Sequence, residues 1–207
     1  TFYTDMSIAE KIGLFCAMGV LTGTIGINYA HELMHKSGKL ERWLADALLA
    51  MVLYSHFRSE HLLVHHIHVG TPKDPVTAKY NENFYKFFMR VLVQCPISSF
   101  KSENIKLGRK GLPPSDFSNP FYIYFASQFF MIALSFLIGG FFGLFLFFIQ
   151  ALVAILLLEL VNYIEHYGLS RKNLKNGKYE FVQPHHSWNS TYKVSNWVLI
   201  NLQRHSD

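Results

Sequence analysis

Between Asp116 and Glu159 the chain carries no charged residue, and residues 117–158 form about 42 positions of almost unbroken apolar sequence. A bilayer core takes roughly 20 apolar residues per helix, so the run predicts two membrane spans, about 121–138 and 141–161, joined near Gly139 and Gly140. Asn119 and Pro120 stand where a helix start is expected, and Glu159 falls in the last turns of the second span. The stretch 7–30, charged only at Glu10 and Lys11, predicts a third span. Residues 43–57 are shorter and contain Asp46, which predicts a short or interfacial helix. The chain is 16% charged, against roughly 25% for a soluble domain. Disorder and a disulfide scaffold are both excluded, the latter by a content of 2 Cys. The expected fold is an all-α integral-membrane helical bundle, one membrane-embedded domain over 1–207.

Apart from Lys11, every Lys and Arg lies in 36–110 or 171–204. A hairpin that begins and ends on one face places both stretches there, and the positive-inside tendency makes that face cytoplasmic. The net charge of +5 then reports topology. Nucleic-acid binding would need a basic stripe interleaved with exposed aromatics, whereas the aromatics here sit in the uncharged spans. Cys16 is expected within a span and Cys95 in a polar loop, so no disulfide is suggested. Gly19 and Gly23 form a G-x-x-x-G in the first span that permits close helix contact, expected inside the chain rather than between copies. The chain opens at Thr1 without a signal peptide and closes on Arg204-His205-Ser206-Asp207, which reads as a fragment of a longer protein.

Eleven histidines cluster at the polar ends of the spans. His31 and His35 in HELMH, and His61 and His65 in EHLLVHH, share the i, i+4 spacing that puts two side chains on one helix face, and His66 follows directly. His166 sits in NYIEHYGL just past the apolar run. Imidazole nitrogens suit iron, zinc or copper. A structural zinc needs four ligands and a catalytic one usually three, so this many histidines exceed one ion. A lone histidine is more often a hydrogen-bonded structural residue than a ligand, and His56, His68 and His185 are read that way, with His186 undecided. Glu32, Glu60 and Glu165 each neighbour a candidate ligand and are candidates for holding an imidazole tautomer. HELMH also fits the H-E-x-x-H zinc-protease pattern, but that reading employs two histidines and leaves the others idle. A metal transporter would want ligands along the membrane path rather than at one face.

HELMHK at 31–36, EHLLVHH at 60–66 followed by TPKDP at 71–75, NYIEHYGL at 162–169, and HSWNS with LQRHSD at 186–207 together resemble the integral-membrane alkane hydroxylases. These are the non-haem di-iron alkane 1-monooxygenases. The first two boxes also occur in related forms in membrane desaturases and xylene monooxygenases. The resemblance implies six membrane helices, of which this chain would hold about four, capped on the cytoplasmic face of a bacterial inner membrane by two iron ions. It implies ligation by His31, His35, His61, His65, His66, His166 and His205, with two further histidines just after Asp207. It further implies hydroxylation of the terminal methyl of medium-chain n-alkanes drawn from the membrane lipid, using O2 and electrons from rubredoxin and its reductase. Xylene-type methyl hydroxylation or fatty acyl desaturation is the nearest alternative. The basic residues Lys101, Lys106, Arg109, Lys110, Arg171, Lys172, Lys175 and Lys178 could dock an acidic electron carrier.

Overall fold

Ser7 starts the first helix. Its hydroxyl accepts from the Glu10 amide while the Glu10 carboxylate accepts from the Ser7 amide, a reciprocal cap. The computed structural model describes residues 5–174, 177–190 and 192–198, and most of its regular structure is helical. In chain order the elements are α1 (Ile8–Met34), α2 (Lys39–Ala50), α3 (57–68), α4 (Phe84–Gly108), α5 (Phe121–His166), strands β1 (Asn173–Leu174) and β2 (Lys178–Tyr179), a 3-10 turn (Pro184–His186) and α6 (Lys193–Val198). The strands pair antiparallel, Asn173 with Tyr179 and Leu174 with Lys178. These elements divide into two compact units: one takes the described chain to Ser55 and then Pro120–Leu158, the other His56–Asn119 and the chain from Glu159.

In the first unit, α1 and α5 meet through glycine. A Cβ on Gly19 would lie 2.7 Å from the Gln150 carbonyl oxygen and from Val153 Cβ; one on Gly23 would lie 2.9 Å from Ala154 Cα. The close contact expected of this pair is therefore made within the chain. Gln150 Nε2 donates to Thr22 Oγ1 at 2.7 Å, which satisfies a buried amide in an apolar setting. Thr22 opens a π-helical turn, Thr22–Gly26. The buried face of α2, Ala45, Asp46, Leu49 and Ala50, packs on the last turns of α1. The helix expected at 43–57 thus starts earlier and stops at Ala50. Its 12 residues extend about 18 Å, too short for a hydrocarbon core of about 30 Å.

The long helix α5 breaks at Gly140, where φ 60° and ψ −154° require a residue without a Cβ. Phe129, Leu137 and Phe141 on its two arms are each more than 70% exposed. Large apolar patches of that kind are rare on soluble monomers and suit lipid. Both α1 and α5 are long and apolar enough to cross a membrane.

In the second unit, α4 corrects the sequence reading. Cys95 does not lie in a polar loop: it is buried in a 25-residue helix capped by Asn83, whose side chain accepts from the Lys86 amide. Every fourth residue, Phe87, Val91, Cys95, Ser99, Glu103 and Leu107, faces inward. Phe87, Val91 and Cys95 pack with Val76 and Ala78, and Tyr163 and Tyr167 at the end of α5 close over them. The Tyr163 hydroxyl donates to the Glu82 carbonyl at 2.6 Å, and the Gly168 amide to the Ala78 carbonyl at 3.0 Å. The end of α5 is thereby stitched to the loop that follows α3.

Candidate metal centre

Helix α3 holds the densest group of imidazoles. Over His61–His65 its backbone is π-helical, and the His66 amide donates to the His61 carbonyl. In an α-helix, residues i and i+5 point about 140° apart; the extra residue of a π turn brings them round to a common face. The outcome is a His61 Nε2 to His66 Nε2 distance of 2.8 Å. Two ligands on one ion at a bond length of about 2.1 Å, set at right angles, lie about 3 Å apart. The contact is a hydrogen bond in which one Nε2 carries the proton; a cation that displaced that proton would find the two nitrogens at the spacing of neighbouring donors. π turns of this sort are frequent at functional sites.

His65 lies one turn from His61, its ring centroid 5.4 Å away and nearly parallel, and the His166 ring is 4.8 Å from His65 on its other side. Both are buried, and both have their tautomers fixed by acceptors at Nδ1. His65 Nδ1–H donates to Asp74 Oδ2 at 3.0 Å. His166 Nδ1–H donates to the His186 carbonyl oxygen at 3.3 Å. In each ring the lone pair is then on Nε2, the atom a cation would bind. Asp74 is itself held: Oδ2 also accepts from the Thr77 hydroxyl at 2.6 Å, and Oδ1 from the Val76 amide at 3.1 Å. The Thr77 hydroxyl oxygen in turn accepts from the Gly70 amide.

The electrostatics agree with that geometry. Burial alone would push His65 below its usual value, but the Asp74 carboxylate, with Glu165 and Glu159 behind it, raises it. Burial would raise Asp74, and the adjacent His65 outweighs this and lowers it. Glu60, fully buried, is pushed well above the usual carboxylate value by desolvation and then by Asp74 and Glu159. A field that favours positive charge on the His65 ring also favours a metal cation at its Nε2.

In the first unit His31 is buried near the end of α1 and His35 caps it, with ring centroids 4.8 Å apart. Glu32 Oε1 stands 3.9 Å from His31 Nδ1, beyond hydrogen-bond reach. Of the acids singled out from sequence, Glu60 faces other carboxylates, and Glu165 offers its backbone carbonyl to the Trp188 amide at 2.8 Å. A carboxylate that does bond an imidazole of the cluster is Asp74, which sequence reasoning passed over inside TPKDP. Its signal was faint, a loop acid nine residues from His65. His56 is partly buried, with Nε2 sealed from solvent. His205 and Lys175 lie outside the described residues.

Glu180, His185 and His186 also come close together, but the His186 ring is already committed. Nδ1 accepts from the Gln183 amide at 2.9 Å, which leaves the proton on Nε2, 3.2 Å from Glu180 Oε1. To bind a metal this ring would have to give up its bond to an amide at one nitrogen or to a carboxylate at the other. Of the basic residues noted above, Lys106 pairs with Glu103 at 3.1 Å, and Arg171 donates to the carbonyls of Ile67, Val69 and Glu180.

The donor set is thus neutral imidazole beside buried carboxylate, without thiolate, which suits iron, zinc or copper and argues against an iron-sulfur cluster. Comparison with known proteins gives the family. The chain is 40% identical over 198 residues to alkane 1-monooxygenase 2 of Pseudomonas aeruginosa, covering 95% of this chain and 52% of that protein. It is 40% identical over 206 residues to an alkane 1-monooxygenase of Pseudomonas putida, covering 98% and 50%. Against the xylene/toluene monooxygenase hydroxylase component XylM of Pseudomonas putida it is 32% identical over 185 residues, covering 87% and 47%. The chain spans about half the length of the curated relatives it matches. A sequence model described as fatty acid desaturase matches residues 11–207. With nearly its whole length inside that match, and alkane 1-monooxygenases 40% identical over 95% and 98% of it, the chain belongs to the fatty acid desaturase family of membrane desaturases and hydroxylases.

Proposed function

We propose that this chain is the metal-bearing part of an alkane 1-monooxygenase that hydroxylates the terminal methyl of medium-chain n-alkanes. The observation that carries the reading is the convergence of His61 and His66 Nε2, beside two buried imidazoles whose Nδ1 hydrogen bonds put the lone pair on Nε2. His61, His65, His66 and His166 would hold iron together with His31, His35 and His205. Bound there, a pair of iron ions supplies the activation of O2 for attack on an unactivated C–H bond. The chain's own part is to orient imidazoles and to supply a negative field. Asp74 holds His65, the His186 carbonyl holds His166, and the buried acids around His65 favour the cations. The apolar surfaces of α1 and α5 let a substrate without a polar handle arrive through lipid. Discrimination by apolar contact amounts to about 1–3 kcal/mol per methylene, so the chain-length preference is broad.

Electrons come, in this reading, from a rubredoxin-type carrier and its reductase, docking on exposed Lys101, Arg109, Lys110, Lys172 and Lys178. Turnover at subsaturating carrier then falls steeply with salt, and a flat response removes that docking role. The site faces the cytoplasm at a bacterial inner membrane. The test is metal content and product of the full-length protein. About two irons per chain with 1-octanol formed from octane supports the proposal; about one zinc and no iron overturns it. The identity to XylM favours a second reading, methyl hydroxylation of an alkylaromatic, which the product from p-xylene distinguishes.

A further inference from the structure

We propose that His186 is a positioning residue for His166. Its ring pins the turn whose backbone carbonyl fixes the His166 tautomer, and the proposal rests on the reading of His166 as a metal ligand. His186 is 1% exposed, with Ser187 buried beside it, in a segment whose other large side chains turn outward, Phe181 being 87% and Trp188 60% exposed. Both ring nitrogens are used, Nδ1 by the Gln183 amide and Nε2–H by Glu180 Oε1. Glu180 is anchored in turn: the same oxygen accepts from the Lys172 amide at 2.7 Å, and its carbonyl accepts from Arg171 Nε at 2.7 Å.

Arg171 also donates to the Ile67 carbonyl at 3.0 Å, and its amide to the Gly70 carbonyl at 2.7 Å. The strap is thus clipped to the end of α3, where His61, His65 and His66 lie. At its other end the Trp188 amide donates to the Glu165 carbonyl, and Trp188 Nε1 to the Tyr167 carbonyl at 3.0 Å. Three of these ties run to residues beside a histidine of the cluster, Ile67 next to His66, and Glu165 and Tyr167 on either side of His166. The His186 carbonyl touches an imidazole directly, at His166 Nδ1. A turn free to rotate would lose that acceptor, and His166 could then place its proton on Nε2.

The test uses the full-length protein, stripped of metal and titrated with cobalt(II), whose visible spectrum reports its ligands. Wild type binds two ions. His186→Ala is expected to weaken one of the two by about 10- to 100-fold, the usual effect of losing a partner that orients a ligand, with the other unchanged and the helical circular dichroism intact. His186→Asn is expected to restore most of the loss, since its amide oxygen can take the Gln183 N–H. Glu180→Ala is expected to give an intermediate weakening of the same ion. Two unaltered ions in His186→Ala overturn the proposal. So does loss of both ions together in His186→Ala and His186→Asn, which is the behaviour of a residue that merely supports the fold. Wild type binding no cobalt overturns the ligand reading of His166, and this proposal with it.

Discussion

Asp74→Asn changes one atom and should cost the site a ligand. The carboxylate accepts three hydrogen bonds, from His65 Nδ1, the Thr77 hydroxyl and the Val76 amide. An amide in its place has two orientations. With its oxygen toward Val76, the NH2 group faces His65 Nδ1 and donates to it, so the imidazole proton moves to Nε2 and the pair for the metal is lost. With its oxygen toward His65, the NH2 group meets the Val76 N–H, a buried clash of donors costing about 1–3 kcal/mol. Either way the site loses the negative charge that raises His65. Loss of such a partner lowers metal affinity by about 10- to 100-fold, or about 1.4–2.7 kcal/mol. The assay is anaerobic dialysis of the full-length protein against a graded ferrous chelator, with iron per chain measured at each step. An Asp74→Asn protein that releases iron at the wild-type chelator concentration refutes the assignment of Asp74 as the group that orients His65.

The remaining expectations concern stability and pH. Gly19→Ala drives a Cβ to within 2.7 Å of Gln150 O and Val153 Cβ and should lower stability by about 1–3 kcal/mol; Gly13→Ala, with nothing within 4 Å, should be neutral or slightly stabilising, and melting in detergent compares the two. His56 is pushed down to about 4 by burial. Its contribution is present above the usual 6.5 and lost as pH falls from there through about 4, up to about 3 kcal/mol. His56→Gln should flatten that part of the stability profile, and an unchanged acid limb refutes the burial argument. Glu82, desolvated but held below 4.5 by its two hydrogen bonds with Arg90, stabilises above that value and loses its contribution as pH falls below it. Glu82→Gln strands a mostly buried guanidinium, and chemical denaturation should show a loss of several kcal/mol.

What could be read from the sequence was what depends on local spacing. The uncharged run marked α5, and Gly140 broke it where two glycines had been expected to. The i, i+4 pairs marked His31 with His35 and His61 with His65. The helix α4 escaped because Pro96 and the charges of Lys86, Arg90, Lys101 and Lys106 hide its inward face, half of which is Cys, Ser and Glu. His66 was noticed as an adjacent residue, but its meeting with His61 depends on a π turn that no periodicity announces. Asp74 and His186 act across loops, where contact is set by tertiary packing. Neighbouring acids were considered for orienting the imidazoles because sequence shows adjacency; Asp74, nine residues from His65, reaches its Nδ1 through the fold of the loop.

The π turn in α3 also makes the histidine box sensitive to length. Removing one residue between His61 and His66 would let the segment relax into a regular α-helix with better hydrogen bonds. A helix as a scaffold tolerates such a deletion. The set of imidazoles does not: the old His66 would stand one α turn from His61 and could keep that pairing, while His65, one position nearer His61, would swing away from Asp74 and His166. The surplus residue is what allows three consecutive demands to be met by six positions of chain, so a deletion here should raise the helix's stability and abolish its chemistry.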